Sequence, residues 1–369
     1  TGGGRAYGRP QDFSGTQPVL YRNLGEGRFE EATTSVGLEV LNPATGRPMA
    51  KSLGVTFGDF NGDRRPDIFV SNDTVQNFLF VSTPGGGFEE QAILTGVAFD
   101  QNGRARGAMG LDLTRFRGGD SLGIAIGNFA SEMTALYVSQ PEAMQFTDEA
   151  VPSGLGPQTR LALTFGVCFL DVDLDGREDL LTANGHLEEE IHRVQPAQHY
   201  EQPPQLFWNA GEAAATEFRL LTAEQTGNEF AKPLVGRGAA FADIDADGDQ
   251  DMLIMTAGGR PRLLRNDTDH GHHWIRFQLE GTQSNRDAIG AMVELKTAAG
   301  LQYRQVMPTR SYLSQVELPV TFGLGTAEVV EQVTIRWPRG AVTTLEQPAI
   351  DTQHTVREPV EQTAGEQGG

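Results

Sequence analysis

Three nine-residue stretches constrain this chain more than any other feature: "DFNGDRRPD" at 59–67, "DVDLDGRED" at 171–179 and "DIDADGDQD" at 243–251. Close carboxylates repel, so a folded chain keeps such a cluster only if it stays solvated or if a cation neutralises it. The spacing argues for a cation. Side-chain oxygens at positions 1, 3, 5 and 9 and a backbone carbonyl at position 7, with a sharp turn between, suit the oxygen-rich shell of Ca²⁺. The ligands on this template are Asp59, Asn61, Asp63, Asp67 and the Arg65 carbonyl in the first stretch; Asp171, Asp173, Asp175, Asp179 and the Arg177 carbonyl in the second; and Asp243, Asp245, Asp247, Asp251 and the Asp249 carbonyl in the third. Gly176 makes the turn at position 6 of the second stretch, whereas the first carries its glycine at position 4, as Gly62. About three calcium ions are expected; the alternative is three solvated acidic turns.

The flanks exclude an EF-hand, which needs helices on both sides and a Glu at position 12. That position holds Val70, Thr182 and Ile254. The neighbouring runs, such as "SLGVTFG" before and "LLTAN" after, are short, apolar and rich in β-branched and aromatic residues, which predicts strands. Each acidic stretch is therefore read as the tip of a β-hairpin.

The stretches recur in register. From Asp59 to Asp171 is 112 residues, or 2 × 56, and a damaged copy, "RFRGGDSLG", starts at Arg115, near the midpoint. Arg115, Arg117, Gly119 and Gly123 replace the ligands there, so this copy is expected to hold no ion, with its arginines pairing with Asp112 or Asp120. A second element also recurs, as in "NFLFVSTPGGGFEEQ": an apolar strand, a Gly- or Pro-rich turn and a Phe-led strand. Four short strands per unit predict the blades of a β-propeller. Between Asp171 and Asp243 the spacing grows to 72 through the polar insertion at 186–205. That insertion holds His186, Glu188, His192, His199 and Tyr200, which could form a second, transition-metal site; the alternative is a solvated or packed loop.

Residues 15–268 resemble the FG-GAP or VCBS-type repeats of integrin α-like propellers, through the acidic loops and the apolar strands before them. Residues 270–356 resemble the ASPIC/UnbV domain of the cartilage acidic protein-like family, through "HHWIRFQLEGTQSNRDAIGAMVEL", "SYLSQVELPVTFGLG" and "VTIRWPRG". The resemblance implies an all-β chain: FG-GAP/VCBS propeller repeats over 1–268, a small ASPIC/UnbV-like β-sandwich over 269–358, and a polar tail at 359–369. It implies seven blades for a full ring. Only between four and five are legible, so upstream blades are absent, or the ring closes with fewer, or another chain completes it. The missing leader and initiator Met suggest a mature or truncated product.

The formal charge is −20, and three calcium ions would leave it at −20 + 6 = −14. That excess argues against nucleic acid, which requires basic patches. The single cysteine, Cys168, lies in the apolar run "FGVCFLD" and is expected to be buried and inert. No run of about 18 apolar residues predicts a membrane span. Loops of this kind suit millimolar calcium and so an extracellular, cell-surface or periplasmic location, with bacterial secretion fitting better than animal. In the C-terminal part, Asn285 and Asp287 of "GTQSNRDAIG" are expected to satisfy turn backbone groups while Arg286 pairs with an acid. His270, His272 and His273 are read as exposed linker residues.

These features support a calcium-stabilised scaffold that binds a protein or a glycan at a cell surface or in a secreted assembly. The alternatives are a carbohydrate-active or other metal-dependent enzyme using the 186–205 loop, or a permanent subunit of a surface assembly, with the chain oligomeric or part of a larger complex.

Overall fold

The computed structural model describes residues 7–117, 121–140 and 144–360. Strands β1 (Tyr21–Gly25) and β2 (Arg28–Glu31) pair as an isolated hairpin. Three four-stranded antiparallel sheets follow, each in chain order from first strand to fourth. They are β3 (Ser52–Gly58), β4 (Asp67–Asn72), β5 (Phe78–Ser82) and β6 (Phe88–Glu90); β7 (Ala108–Phe116), β8 (Ser121–Asn128), β9 (Ala135–Ser139) and β10 (Phe146–Asp148); and β11 (Thr164–Leu170), β12 (Asp179–Asn184), β13 (Gln205–Asn209) and β14 (Phe218–Leu220). A last sheet has three strands, β15 (Gly236–Ala242), β16 (Asp251–Thr256) and β17 (Arg262–Leu264).

These sheets are propeller blades. The first strands β3, β7, β11 and β15 contact one another in series, and apolar layers fill the space between successive blades. Because side chains alternate along a strand, a blade with neighbours on both faces is apolar at every position. In β12, Leu180 packs with Phe169 and Leu136 on one side, while the adjacent Leu181 packs with Cys168 and Met252 on the other. This explains the uninterrupted apolar runs. Among the described residues the blades form no closed ring, and the outer face of the last blade leaves Leu253, Met255 and Leu263 exposed.

Residues 273–357 form a two-sheet sandwich from β18 (His273–Glu280), β19 (Met292–Thr297), β20 (Gly300–Gln305), β23 (Val320–Gly325), β24 (Gln332–Arg336), β25 (Val342–Glu346) and β26 (Gln353–Arg357), with β21 (Thr309–Arg310) and β22 (Ser314–Gln315) as a separate short hairpin. Sheets β23-β18-β26 and β20-β19-β24-β25 enclose one core that includes Phe277, Phe322, Val293 and Trp337. No helix among the described residues is long and apolar enough to cross a membrane.

The short β21–β22 hairpin leaves the sandwich and lies against the first strands of the blades. Leu111 and Ser311 form an isolated bridge, the Ser311 hydroxyl accepts a hydrogen bond from Val167 N at 3.1 Å, and Tyr312 meets Phe165 edge-on at 4.9 Å. Gly110 allows this approach, since a Cβ there would lie 2.3 Å from the Phe165 carbonyl oxygen. Beneath the hairpin, Arg310 Nε donates to Asp112 Oδ1 at 2.6 Å.

Candidate metal centre and the domain junction

Each acidic stretch joins the first and second strands of a blade, as its flanks predicted. All three share one backbone shape, with left-handed residues at positions 4 and 6: Gly62 and Arg64, Leu174 and Gly176, Ala246 and Gly248. Glycine relieves one of the two positions in each loop, which accounts for its displacement in the first.

The acidic residues divide by position. At position 9, Asp67, Asp179 and Asp251 are buried, and each spans the same two backbone donors. One oxygen accepts the N–H of position 2 (Phe60 2.9 Å, Val172 3.0 Å, Ile244 3.0 Å), and the other accepts an N–H at or just beyond the end of the third strand (Ser82 2.8 Å, Asn209 2.7 Å, Asn266 2.8 Å). At position 5, Asp63, Asp175 and Asp247 accept the position-7 N–H at 2.9, 2.9 and 3.0 Å. Position 1 accepts N–H groups from the turn, such as Gly176 N on Asp171 Oδ2 at 2.9 Å. Burial first, and then the neighbouring acids, push the Asp179 carboxyl well above the usual range; burial does the same to Asp171, against the opposing pull of Arg304.

Among the described residues, three carboxylate groups bring one oxygen each to within 4.8 Å of the others: Asp171, Asp173 and Asp179; Asp243, Asp245 and Asp251; and the exposed Asp245, Asp247 and Asp267. Asp59, Asp63 and Asp67 are not among them. In that first loop Asp63 is engaged by Asn61 at 2.8 Å and by the Arg65 guanidinium. Asp173 Oδ1 and Asp243 Oδ1 are buried with no hydrogen-bond partner, and the Asp243 side chain is only 4% exposed. An unpartnered buried carboxylate oxygen beside two further carboxylates fits a hard cation that takes oxygen ligands. The second and third loops therefore fit calcium by their own chemistry.

These two loops also carry the sandwich. Gly325 N donates to Leu174 O at 2.8 Å and His272 Nδ1 lies 2.6 Å from Asp173 O, while Asn266 Nδ2, at the end of the last blade, donates to Val172 O at 2.8 Å. Gly323 abuts Asp171 and Leu174, where a Cβ would fall 2.2 Å from Asp171 Oδ2, and Trp274 packs on Gly248. Arg276 of β18 is buried between Asp243, 2.6 Å from its Nη1, and Glu317. The Asp243 contact is one of charge rather than an aligned hydrogen bond, since Nη1 lacks a well-directed acceptor. Arg304 of β20 reaches Glu178 at 2.6 Å. A cavity of about 70 Å³, room for a few waters, remains between the inner strands and the sandwich, lined in part by Asp112, Glu178, Arg304 and Arg310.

The histidines at 270–273 depart from the expectation of exposed linker residues. His270 lies 3.3 Å from Asp249 Oδ1 and His273 2.8 Å from Asp351 Oδ2, so with His272 they bind the connection to its surroundings. In the damaged loop, Arg117 pairs with Glu149 at 2.7 Å and Glu217 at 2.6 Å rather than with Asp112, whose partner is Arg310. Gly119 and Asp120 lie outside the described residues. Of the 186–205 residues, His186 is buried against Phe129, with its Nδ1 accepting from Glu188 N at 3.0 Å, and its backbone N–H donates to Tyr200 O at 2.9 Å. His192 and His199 are exposed, and none of these residues belongs to the ligand groups found among the described residues. Cys168 is fully buried, and burial pushes its thiol up to about 12. Asn285 caps its own turn through Ile289 N at 2.8 Å, while Arg286 pairs with Asp287.

Two solved structures, an exotype rhamnogalacturonan lyase (13% identity, 84% of this chain and 67% of that one, TM-score 0.31) and an exo-β-1,3-galactanase from Phanerochaete chrysosporium (8% identity, 88% and 93%, TM-score 0.26), overlap too weakly to support an argument. Human cartilage acidic protein 1 is 26% identical over 298 residues, 78% of this chain and 41% of that protein, and the Xenopus tropicalis protein is 25% identical over 300 residues, 79% and 42%. The chain spans about two fifths of the length of these curated relatives. Residues 12–70 match the FG-GAP-like repeat family and residues 281–363 match the ASPIC and UnbV family, so the chain combines an FG-GAP-like repeat with an ASPIC/UnbV domain and resembles cartilage acidic protein 1 over most of its length.

Proposed function

We propose that the chain is a calcium-stabilised scaffold that works outside the cytosol, at a cell surface or in a secreted assembly, and binds a protein or a glycan through its blade rims and sandwich. Its units are the propeller repeats over 1–268 and the sandwich over 269–358. The observation that carries the calcium assignment is the unpartnered buried oxygen in each of the second and third loops, at Asp173 and Asp243. Ligands in these loops would be Asp171, Asp173 and Asp179, and Asp243, Asp245 and Asp251; Asp175, Asp247 and the position-7 carbonyls complete the template. The 59–67 loop, with Asn61 in place of an aspartate at position 3 and without a converging group of three carboxylates, would take its ion more weakly. Bound only by the folded state, such ions stabilise it by mass action. The resemblance to cartilage acidic protein 1 supports a scaffold over an enzyme, and His186 is buried while His192 and His199 are exposed.

The test is elemental analysis of the purified protein with calorimetric titration of calcium. Two or three calcium ions per chain support the reading. A stoichiometric zinc, copper or iron that is lost on replacing His186 or His192 would transfer the case to the enzyme.

A further inference from the structure

We infer that the ions of the second and third loops do more than staple hairpins: they fasten the sandwich to the blades, so the attachment of the two units depends on calcium, and the 59–67 loop has no part in it. The inference rests on the calcium reading above.

The asymmetry between the loops carries it. The backbone of 171–179 offers two carbonyls to the sandwich side, Leu174 O to Gly325 N and Asp173 O to His272, while Gly323 sits against Asp171 itself. The 243–251 loop holds Trp274 over Gly248 and shares Asp243 with Arg276. The oxygen of Asp243 that faces Arg276 is Oδ2, and the one left without a partner is Oδ1. One carboxylate can thus serve a cation on one oxygen and the guanidinium on the other. By contrast, the bonds of Asp59, Asn61 and Asp63 stay within their own loop.

Without an ion, the second loop crowds Asp171, Asp173 and Asp179, with one oxygen of each within 4.8 Å of the others, beneath Gly323 and His272. A loop that relaxes this crowding by shifting its backbone moves Leu174 O and Asp173 O, the atoms bonded to the sandwich. Ion binding and docking are therefore linked, and linkage is reciprocal: weakening the docking must weaken ion binding at these two loops by the same factor.

The experiment is hydrogen–deuterium exchange on the full chain, with and without a calcium chelator, beside a calcium titration. Asp59→Asn, Asp173→Asn and Asp245→Asn address one loop each, and circular dichroism verifies that each variant is folded. On chelation, exchange in 309–325 is expected to rise about tenfold, within the usual range of coupling, while β19 and β24 inside the sandwich stay protected. Asp173→Asn and Asp245→Asn should reproduce part of this rise in calcium, and Asp59→Asn should not. If calcium binds and 309–325 does not respond, the docking inference is overturned and the calcium reading stands. Uniform loss of protection along the chain also overturns it, since the ions would then support only global folding. If no calcium binds, both fall together.

Discussion

Arg276 Nη1 lies 2.6 Å from Asp243 Oδ2, which places a cation from the sandwich against the first carboxylate of the third acidic loop. The residues are 33 apart in sequence and belong to different structural units. Arg276 is 3% exposed, and Glu317 closes on its other side. The charge is neutralised locally, and removing one member leaves the others buried without a counter-charge.

Arg276→Met is therefore expected to destabilise the chain by about 3–5 kcal/mol. Adding Glu317→Gln should recover part of that loss, because a neutral amide in place of the carboxylate relieves the stranded charge. Denaturant melts of both variants in saturating calcium measure this.

Chelation should lower the melting temperature strongly. Each ion held at about 100-fold excess over its Kd adds about 2.7 kcal/mol, and about 1 kcal/mol moves the midpoint of a domain of this size by roughly 2–4 °C. The midpoint should rise with the logarithm of calcium concentration in a scanning calorimeter; a midpoint independent of calcium would contradict the assignment.

The position-9 aspartates should behave differently from the other acids. Asp67→Ala, Asp179→Ala and Asp251→Ala each orphan two backbone N–H groups, at about 1–3 kcal/mol per group. The loss should persist in chelator, because those bonds are made without an ion. Asp173→Asn should instead lose its effect once calcium is removed.

Acid should act through Glu358. Its carboxylate accepts the N–H groups of Thr282, Gln283 and Ser284 at 2.8, 2.8 and 2.7 Å and the Ser284 hydroxyl at 2.7 Å. Burial opposes its ionisation, but these donors outweigh it and hold the group down at about 2. A folded pKa below the unfolded value gives stability that is present above about 4.5 and lost as pH falls toward 2. Glu358→Gln should flatten that stretch of the stability–pH curve.

Gly110→Ala tests the close packing of the β21–β22 hairpin. Its φ is ordinary, so the penalty is steric, with the new Cβ driven onto the Phe165 carbonyl and onto Tyr312. A cost of about 1–3 kcal/mol or more is expected, with near-ultraviolet circular dichroism reporting the displaced Tyr312.

What could be read in the sequence is what is local. Asp171, Asp173, Asp175 and Asp179 specify a loop within nine residues, and the runs that flank them specify its strands. The period followed because each blade repeats that unit. The first loop showed the limit of spacing, since Asp59, Asp63 and Asp67 match the template by position yet do not converge as the aspartates of the other two loops do. Docking was hidden because it is set by distant pairs: Arg310 meets Asp112 across 198 residues and His272 meets Asp173 across 99. Nothing in the spacing of the arginines and histidines said which acids they would find.

The β21–β22 hairpin also bears on how the chain is made. Ser311 and Arg310 complete hydrogen bonds to blade strands 144 and 198 residues earlier, so the inner surface of β7 and β11 stays uncovered until the 309–315 segment has been synthesised. Contacts of such high order form slowly, and strands exposed meanwhile are prone to wrong pairing. Chains released before residue 315 should therefore aggregate or be degraded, and the hairpin acts as the late seal on blades made well before it.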